Sequence, residues 1–211
     1  MIDPFLLIKN GDSYRLLQYY YNGLPLDTLG PLIIHSDPDI QLESLWILSE
    51  LGETACNHFL DHLVSLFPIK DEGINHFYLE CIFLGTLDGN ANFKLVVKEI
   101  ENESKYVVKS AMMLISNARI PQLESIANPI NRADQLLYSF PIHLNGIKLL
   151  INPDQEKILK MISDDNILMQ KYGAMAAKKS FDINPKLLES GTHSKYETIA
   201  EFCIDSLLLL S

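Results

Sequence analysis

Apolar positions recur at helical spacing along most of the chain, and the stretch from Asp37 to Gly52 sets a plan that later segments repeat. Wound at about 100° per residue, its acids Asp39, Glu43 and Glu50 fall within about 40° of one another. Ile40, Leu42, Leu45, Ile47, Leu48 and Leu51 spread over most of the remaining circumference. Trp46 lies at the border of the acidic stripe. The pattern predicts a helix packed between neighbours and exposed along one edge, which is what a stack of helical hairpins requires. Asp37 supplies an N-cap oxygen and Pro38 a pre-set φ at the first helical position.

Moved along by 37 residues, Leu42, Glu43, Ser44, Leu45, Trp46, Ser49 and Gly52 meet Leu79, Glu80, Cys81, Ile82, Phe83, Thr86 and Gly89. A further 29 carries Leu79, Cys81, Phe83, Leu84 and Gly89 onto Val108, Ser110, Met112, Met113 and Ala118. Gly173, Ala174 and Met175 match Ser110, Ala111 and Met112 at a spacing of 63, roughly two repeats. The other predicted elements are a short apolar opening over residues 1–11, a helix through Arg15 to Tyr21 capped by Asp12-Ser13 and ended at Asn22-Gly23, and a connector through Pro25, Gly30 and Pro31. An amphipathic helix is predicted from Ala55 to Phe67, ended by Pro68. Helix pairs follow at Ile74–Leu87 with Ala91–Glu101 and at Lys105–Asn117 with Ile120–Ala127, the latter closed by Asn128-Pro129. The breakers Pro141, Gly146 and Pro153 predict irregular connections over 128–153. Helices resume at Asp154–Ile162 and Ile167–Lys179, and Ser194–Leu210 closes the chain.

Hairpins spaced about 29 to 37 residues apart, with Asp-Pro entries and small residues in the first helix, resemble HEAT-like repeats over residues 35–180. The spacing is shorter than the ~40–47 residues of typical HEAT and armadillo units and is similar to the compact bacterial variety. The resemblance implies an all-α fold: stacked helical hairpins forming an α-solenoid, a HEAT/armadillo-like superhelix. It also implies one domain over 1–211, with an N-terminal cap at 1–34, regular repeats at 35–130 and less regular repeats at 131–211. The tetratricopeptide and ankyrin signatures are absent.

Charge narrows the function classes. From Leu16 to Phe93 the chain carries eleven acids and one base, Lys70, so this stretch holds the whole net charge of −10. Such a field repels nucleic acid and anionic membranes and attracts basic proteins. Some HEAT-like proteins are DNA glycosylases with a basic concave groove, but 17 bases against 27 acids do not furnish one. The densest basic group, Lys171, Lys178 and Lys179, sits among Asp164, Asp165 and Asp182. Asp3 and Pro4, with no basic n-region, precede the apolar run Phe5 to Ile8, and no apolar run approaches the ~20 residues of a membrane helix, which predicts a cytoplasmic protein. Cys56, Cys81 and Cys203 are odd in number, widely spaced and set in apolar patterns, so they read as buried free thiols.

No Gly-x-Ser-x-Gly elbow, phosphate-cradling Gly-Lys loop or dinucleotide fingerprint is present. His58-Phe-Leu-Asp-His62 is the sharpest catalytic pattern. Two imidazoles four apart on one helix face could hold a metal, with Asp61 as base; a third ligand would have to come from Glu80 or His76 on the following helix, and the motif carries Asp where an inverted zincin has Glu. A solvated helix face is the simpler reading. His76 and Glu80 read as a helix-surface pair, and His193 as part of a turn. The sequence therefore predicts a non-enzymatic protein-binding module without cofactor, whose partner-binding residues are Asp39, Glu43, Trp46 and Glu50. The concrete version is an immunity or inhibitor protein that neutralises a basic, nuclease-type toxin. A scaffold or adaptor role and a metal-dependent hydrolase using His58, Asp61 and His62 are the alternatives.

Overall fold

A computed structural model describes residues 2–127 and 141–210. The described residues form helices, turns and loops and contain no strand. They divide into two compact units, Met1–Leu87 and Asp88–Ser211.

In the first unit the Pro38–Leu51 helix is the hub. It packs against the Pro4–Lys9, Ser13–Tyr21, Gly30–Ile33, Glu53–His58 and Glu72–Gly85 helices. Its ends follow from the sequence. The Asp37 carboxylate accepts from the Asp39 N–H at 3.1 Å, Pro38 opens the first turn, and Gly52, at φ +81°, ends the helix where a side chain would be strained. Leu45, Ile47 and Leu48 are fully buried, while Asp39 and Glu50 remain exposed. Each such leucine or isoleucine contributes about 1.5–3 kcal/mol when taken from water.

The region predicted as one helix from Ala55 to Phe67 is two, Glu53–His58 and Leu60–Leu66, separated at Phe59 with φ −99° and ψ 12°. The bend accompanies burial of Phe59, whose ring lies directly over Gly30, where a Cβ would sit 3.2 Å from ring carbon Cε1. Residues 26–33, expected as a connector, form a 3₁₀ turn at Leu26–Leu29 and the short Gly30–Ile33 helix.

The second unit is built around the Ile167–Lys179 helix, which packs against the Lys105–Asn117, Pro141–Ile151, Gln155–Ile162, Lys186–Gly191 and Glu197–Leu210 helices. Gln170 through Ala177 are all buried. The small residues work as the sequence suggests: a Cβ on Gly173 would come within 2.7 Å of the Ile162 backbone nitrogen, so the two helices touch backbone to backbone.

Residues 141–151 correct the expectation of an irregular stretch over 128–153; 128–140 and the Asn128-Pro129 stop lie outside the described residues. Pro141 occupies the first position of a regular helix, where its missing N–H costs nothing, and Gly146 sits mid-helix against the face of the Tyr172 ring. The breaker residues here serve packing. Residues 91–101, expected as one helix, are two 3₁₀ turns, Ala91–Phe93 and Glu99–Glu101, around a short helix at Lys94–Lys98.

Side-chain bonds within each unit expose the repeat directly. Tyr21 donates to the Glu50 carbonyl (2.9 Å), and Asn57 to the Gly85 carbonyl (3.0 Å), at separations of 29 and 28 residues. In the second unit Asn184 donates to Gln155 (3.1 Å, separation 29) and Lys195 to Asp165 (2.7 Å, separation 30). Tyr21–Glu50, Asn184–Gln155 and Lys195–Asp165 tie equivalent positions of successive hairpins together, Asn57 ties the Glu53–His58 helix to the end of the Glu72–Gly85 helix, and the fold is an all-α solenoid of stacked helical hairpins.

Candidate protein-binding surface

The acidic stripe occupies one side of the 38–51 helix. Asp39 and Glu43, with Asp37, line an open hollow of about 360 Å³ whose other wall comes from Ile8, Lys9, Gly11 and Ser13. Asp39 is exposed and Glu43 half-buried. Trp46 and Glu50 continue the same helical face beyond the hollow without lining it. Trp46 is half-buried: its indole joins neither the fully enclosed core nor open solvent. At the far end Tyr21 reaches across to the Glu50 carbonyl while leaving 57% of itself exposed, and Tyr14, one helical face earlier, is 69% exposed. A half-exposed tryptophan on the helix of the three carboxylates, with the exposed Tyr21 bonded to that helix's backbone, has the make-up of an interaction rim and anchor. The tyrosines are the part of this surface that sequence reasoning missed. Their spacing of seven puts Tyr14 and Tyr21 on one face, and that was the available signal.

The unit carries this character as a whole. Residues 1–87 hold twelve acids against three bases, and 88–211 fifteen against fourteen, so the first unit accounts for −9 of the net −10.

The His58, Asp61, His62 constellation is divided by the bend at Phe59. His58 ends one helix while Asp61 and His62 begin the next, and His58 Nε2 lies 2.9 Å from Asp27 Oδ1. Both imidazoles meet the Phe59 ring edge-on. Among the described residues no three His, Cys, Asp or Glu side chains are grouped closely enough to hold an ion. His193 lies in a shallow polar hollow with Asp164, Asp165 and Lys195, where Lys195 is bonded to Asp165 and Ser194 donates to Gln170 at 2.6 Å.

The basic group Lys171, Lys178 and Lys179 is internal wiring. Lys179 donates to the Ala118 carbonyl (2.7 Å) and Lys178 to the Asn117 side chain (2.5 Å), at the C-terminal end of the 105–117 helix, where orphan carbonyls and the helix dipole favour a cation. Lys171 donates to the Ile100 carbonyl. Burial lowers the pKa of all three.

A polar cluster the sequence did not disclose lies beside it. The Glu101 carboxylate accepts from His143 Nε2 at 2.5 Å, and His143 Nδ1 is 2.8 Å from the Tyr172 hydroxyl. Because a carboxylate only accepts, Nε2 carries a proton, and in the neutral ring Nδ1 accepts from Tyr172. Burial, reinforced by Glu101, holds the Tyr172 phenol well above its ordinary pKa, so it stays protonated and able to donate. His143 and Tyr172 are both enclosed and Glu101 is exposed, so the cluster runs from the surface into a satisfied, buried His143–Tyr172 pair.

No protein-family model and no curated protein matches the chain. Among solved structures, an engineered protein from the Northeast Structural Genomics Consortium is 13% identical with a TM-score of 0.50, the match covering 99% of this chain and 96% of that one. A designed armadillo repeat protein is 14% identical with a TM-score of 0.47, over 92% and 86% of the two chains. The first likeness is one of fold. No described helix is long and apolar enough to cross a membrane.

Proposed function

We propose that this chain is a protein-binding module whose N-terminal unit engages a basic partner protein through the acidic side of the 38–51 helix. The observation that carries the reading is the placement of Asp39 and Glu43 in one open hollow, on a unit that holds nearly all of the net charge. In its concrete form the partner is a nuclease-type toxin and the module its immunity protein. An acidic surface blocks such an enzyme by covering its phosphate-binding site, and the opposed fields raise the association rate. Trp46, Tyr14 and Tyr21 supply apolar area next to the charges.

The test is to purify the tagged chain from its native host and identify what accompanies it. One dominant basic partner whose nuclease activity the chain abolishes supports the immunity form. Several partners with none dominant support a scaffold and count against it. With the partner in hand, Asp39→Lys with Glu43→Lys slows association about tenfold or more at low salt and far less at about 0.5 M salt. Unchanged association kinetics would remove the acidic surface from the interface.

A further inference from the structure

The second unit carries a groove of opposite character. The Pro141–Ile151 and Gln155–Ile162 helices, with Met169, enclose about 700 Å³ of open concavity. Asn145, Lys148, Leu149 and Asn152 are spaced as one stripe of the first helix, and Lys157, Lys160 and Met161 as one stripe of the second, so the concavity is elongated between two helical faces. Its floor is apolar: Leu149 and Met161 are 5% and 7% exposed, and Met169 is half-buried. Lys148, Lys157 and Lys160 stand exposed around it, and among the described residues no acid lines it. Among the described residues no carboxylate lies within ion-pair distance of these three ammonium groups.

We propose that this groove binds an acidic amphipathic segment of a partner protein, seating apolar side chains on Leu149, Met161 and Met169 and carboxylates against Lys148, Lys157 and Lys160. Three features select this occupant. An apolar trough between two helices is the shape into which a helix lays its hydrophobic stripe. Methionine is unbranched and polarizable, and adapts to varied apolar side chains. Lysine is a flexible point charge without the fixed fork of arginine, suited to carboxylates whose positions vary along a peptide. The site is separate from the acidic surface of the first unit and takes a partner of the other sign.

The test uses the full chain and a fluorescein-labelled peptide of about 16 residues, with leucines at i, i+3, i+4 and i+7 and glutamates elsewhere, followed by anisotropy at about 50 mM salt. Saturable binding is expected, weakened at least about tenfold in the Lys148→Glu, Lys157→Glu, Lys160→Glu variant, with the difference shrinking in about 0.5 M salt. All three lysines are solvent-exposed, and an unchanged circular dichroism spectrum confirms that the variant folds. Met169→Ala weakens binding about threefold through the apolar floor. Asp39→Lys with Glu43→Lys leaves peptide binding within about twofold, which separates this site from the one above. The proposal is overturned by an absence of saturable binding, by equal binding to the lysine-reversed variant, or by equal binding of the peptide with lysine in place of glutamate. It is also overturned if dodecanoate binds at these lysines and the peptide fails to displace it, which would make the groove a site for small anionic amphiphiles.

Discussion

Replacing Gly146 with alanine sets two effects of opposite sign against each other. Gly146 lies in the middle of the 141–151 helix, where local propensity favours alanine by about 1 kcal/mol. The packing opposes it. A Cβ there would collide with Tyr172 Cγ, Cδ1 and Cδ2, the stem of the ring rather than its free tip. Tyr172 cannot swing aside cheaply, because it is fully buried and its hydroxyl is bonded to the enclosed His143 at 2.8 Å. Overpacking of this kind costs about 1–3 kcal/mol. Losing the His143–Tyr172 bond as the ring shifts adds about 1–3 kcal/mol, because both partners are left buried. The sum is a net loss of about 1–5 kcal/mol. For a cooperative unit of this size it corresponds to a fall in Tm of about 3–25 °C. Urea and thermal unfolding of Gly146→Ala, followed by circular dichroism, measure the effect. Repeating them in a Tyr172→Leu background completes a double-mutant cycle, in which the alanine costs at least about 1 kcal/mol less because the ring is gone. A Gly146→Ala protein as stable as the parent, or more so, would show that the close contact does not hold the helices and would refute the reasoning.

Cys56, Cys81 and Cys203 are free and buried, and burial pushes the Cys203 thiol up to about 12 and Cys81 well above its ordinary value. At about pH 8 Ellman's reagent is therefore expected to label none of them in the folded protein and all three in strong denaturant, whereas rapid labelling of a native thiol would contradict the packing. The exposed pairs Lys195–Asp165 and Lys105–Glu197 hold both carboxyls below their ordinary pKa, chiefly through the hydrogen bond from lysine. Folded-state values depressed in this way contribute stability that is present above the unfolded pKa and lost as pH falls through the folded one. Asp165→Asn with Glu197→Gln should consequently give a shallower loss of stability between about pH 5 and 2, a small difference that disappears in about 1 M salt. An unchanged acid limb at low salt would show that the pairs are idle.

The sequence by itself determined what depends on near neighbours and on periodicity. The 38–51 helix was legible from end to end because its cap, its first-turn proline and its terminal glycine act within a few residues of themselves. The acidic stripe followed from helical winding alone, and a hairpin spacing of about 29 to 37 residues was visible as faint self-similarity, to which side-chain bonds add separations of 29 and 30. Tertiary structure decided the rest. Phe59 breaks a continuous amphipathic pattern as it reaches the space above Gly30, and Gly146 sits inside a regular helix where an irregular connection was expected, because the Tyr172 ring needs its missing side chain. The links from Glu101 through His143 to Tyr172 and from Lys179 to Ala118 join residues from distant parts of the sequence. Local propensity acts over a turn or two of helix, whereas a contact between distant residues exists only once the chain has closed the loop that joins them, and nothing in either segment taken singly carries the partner's position.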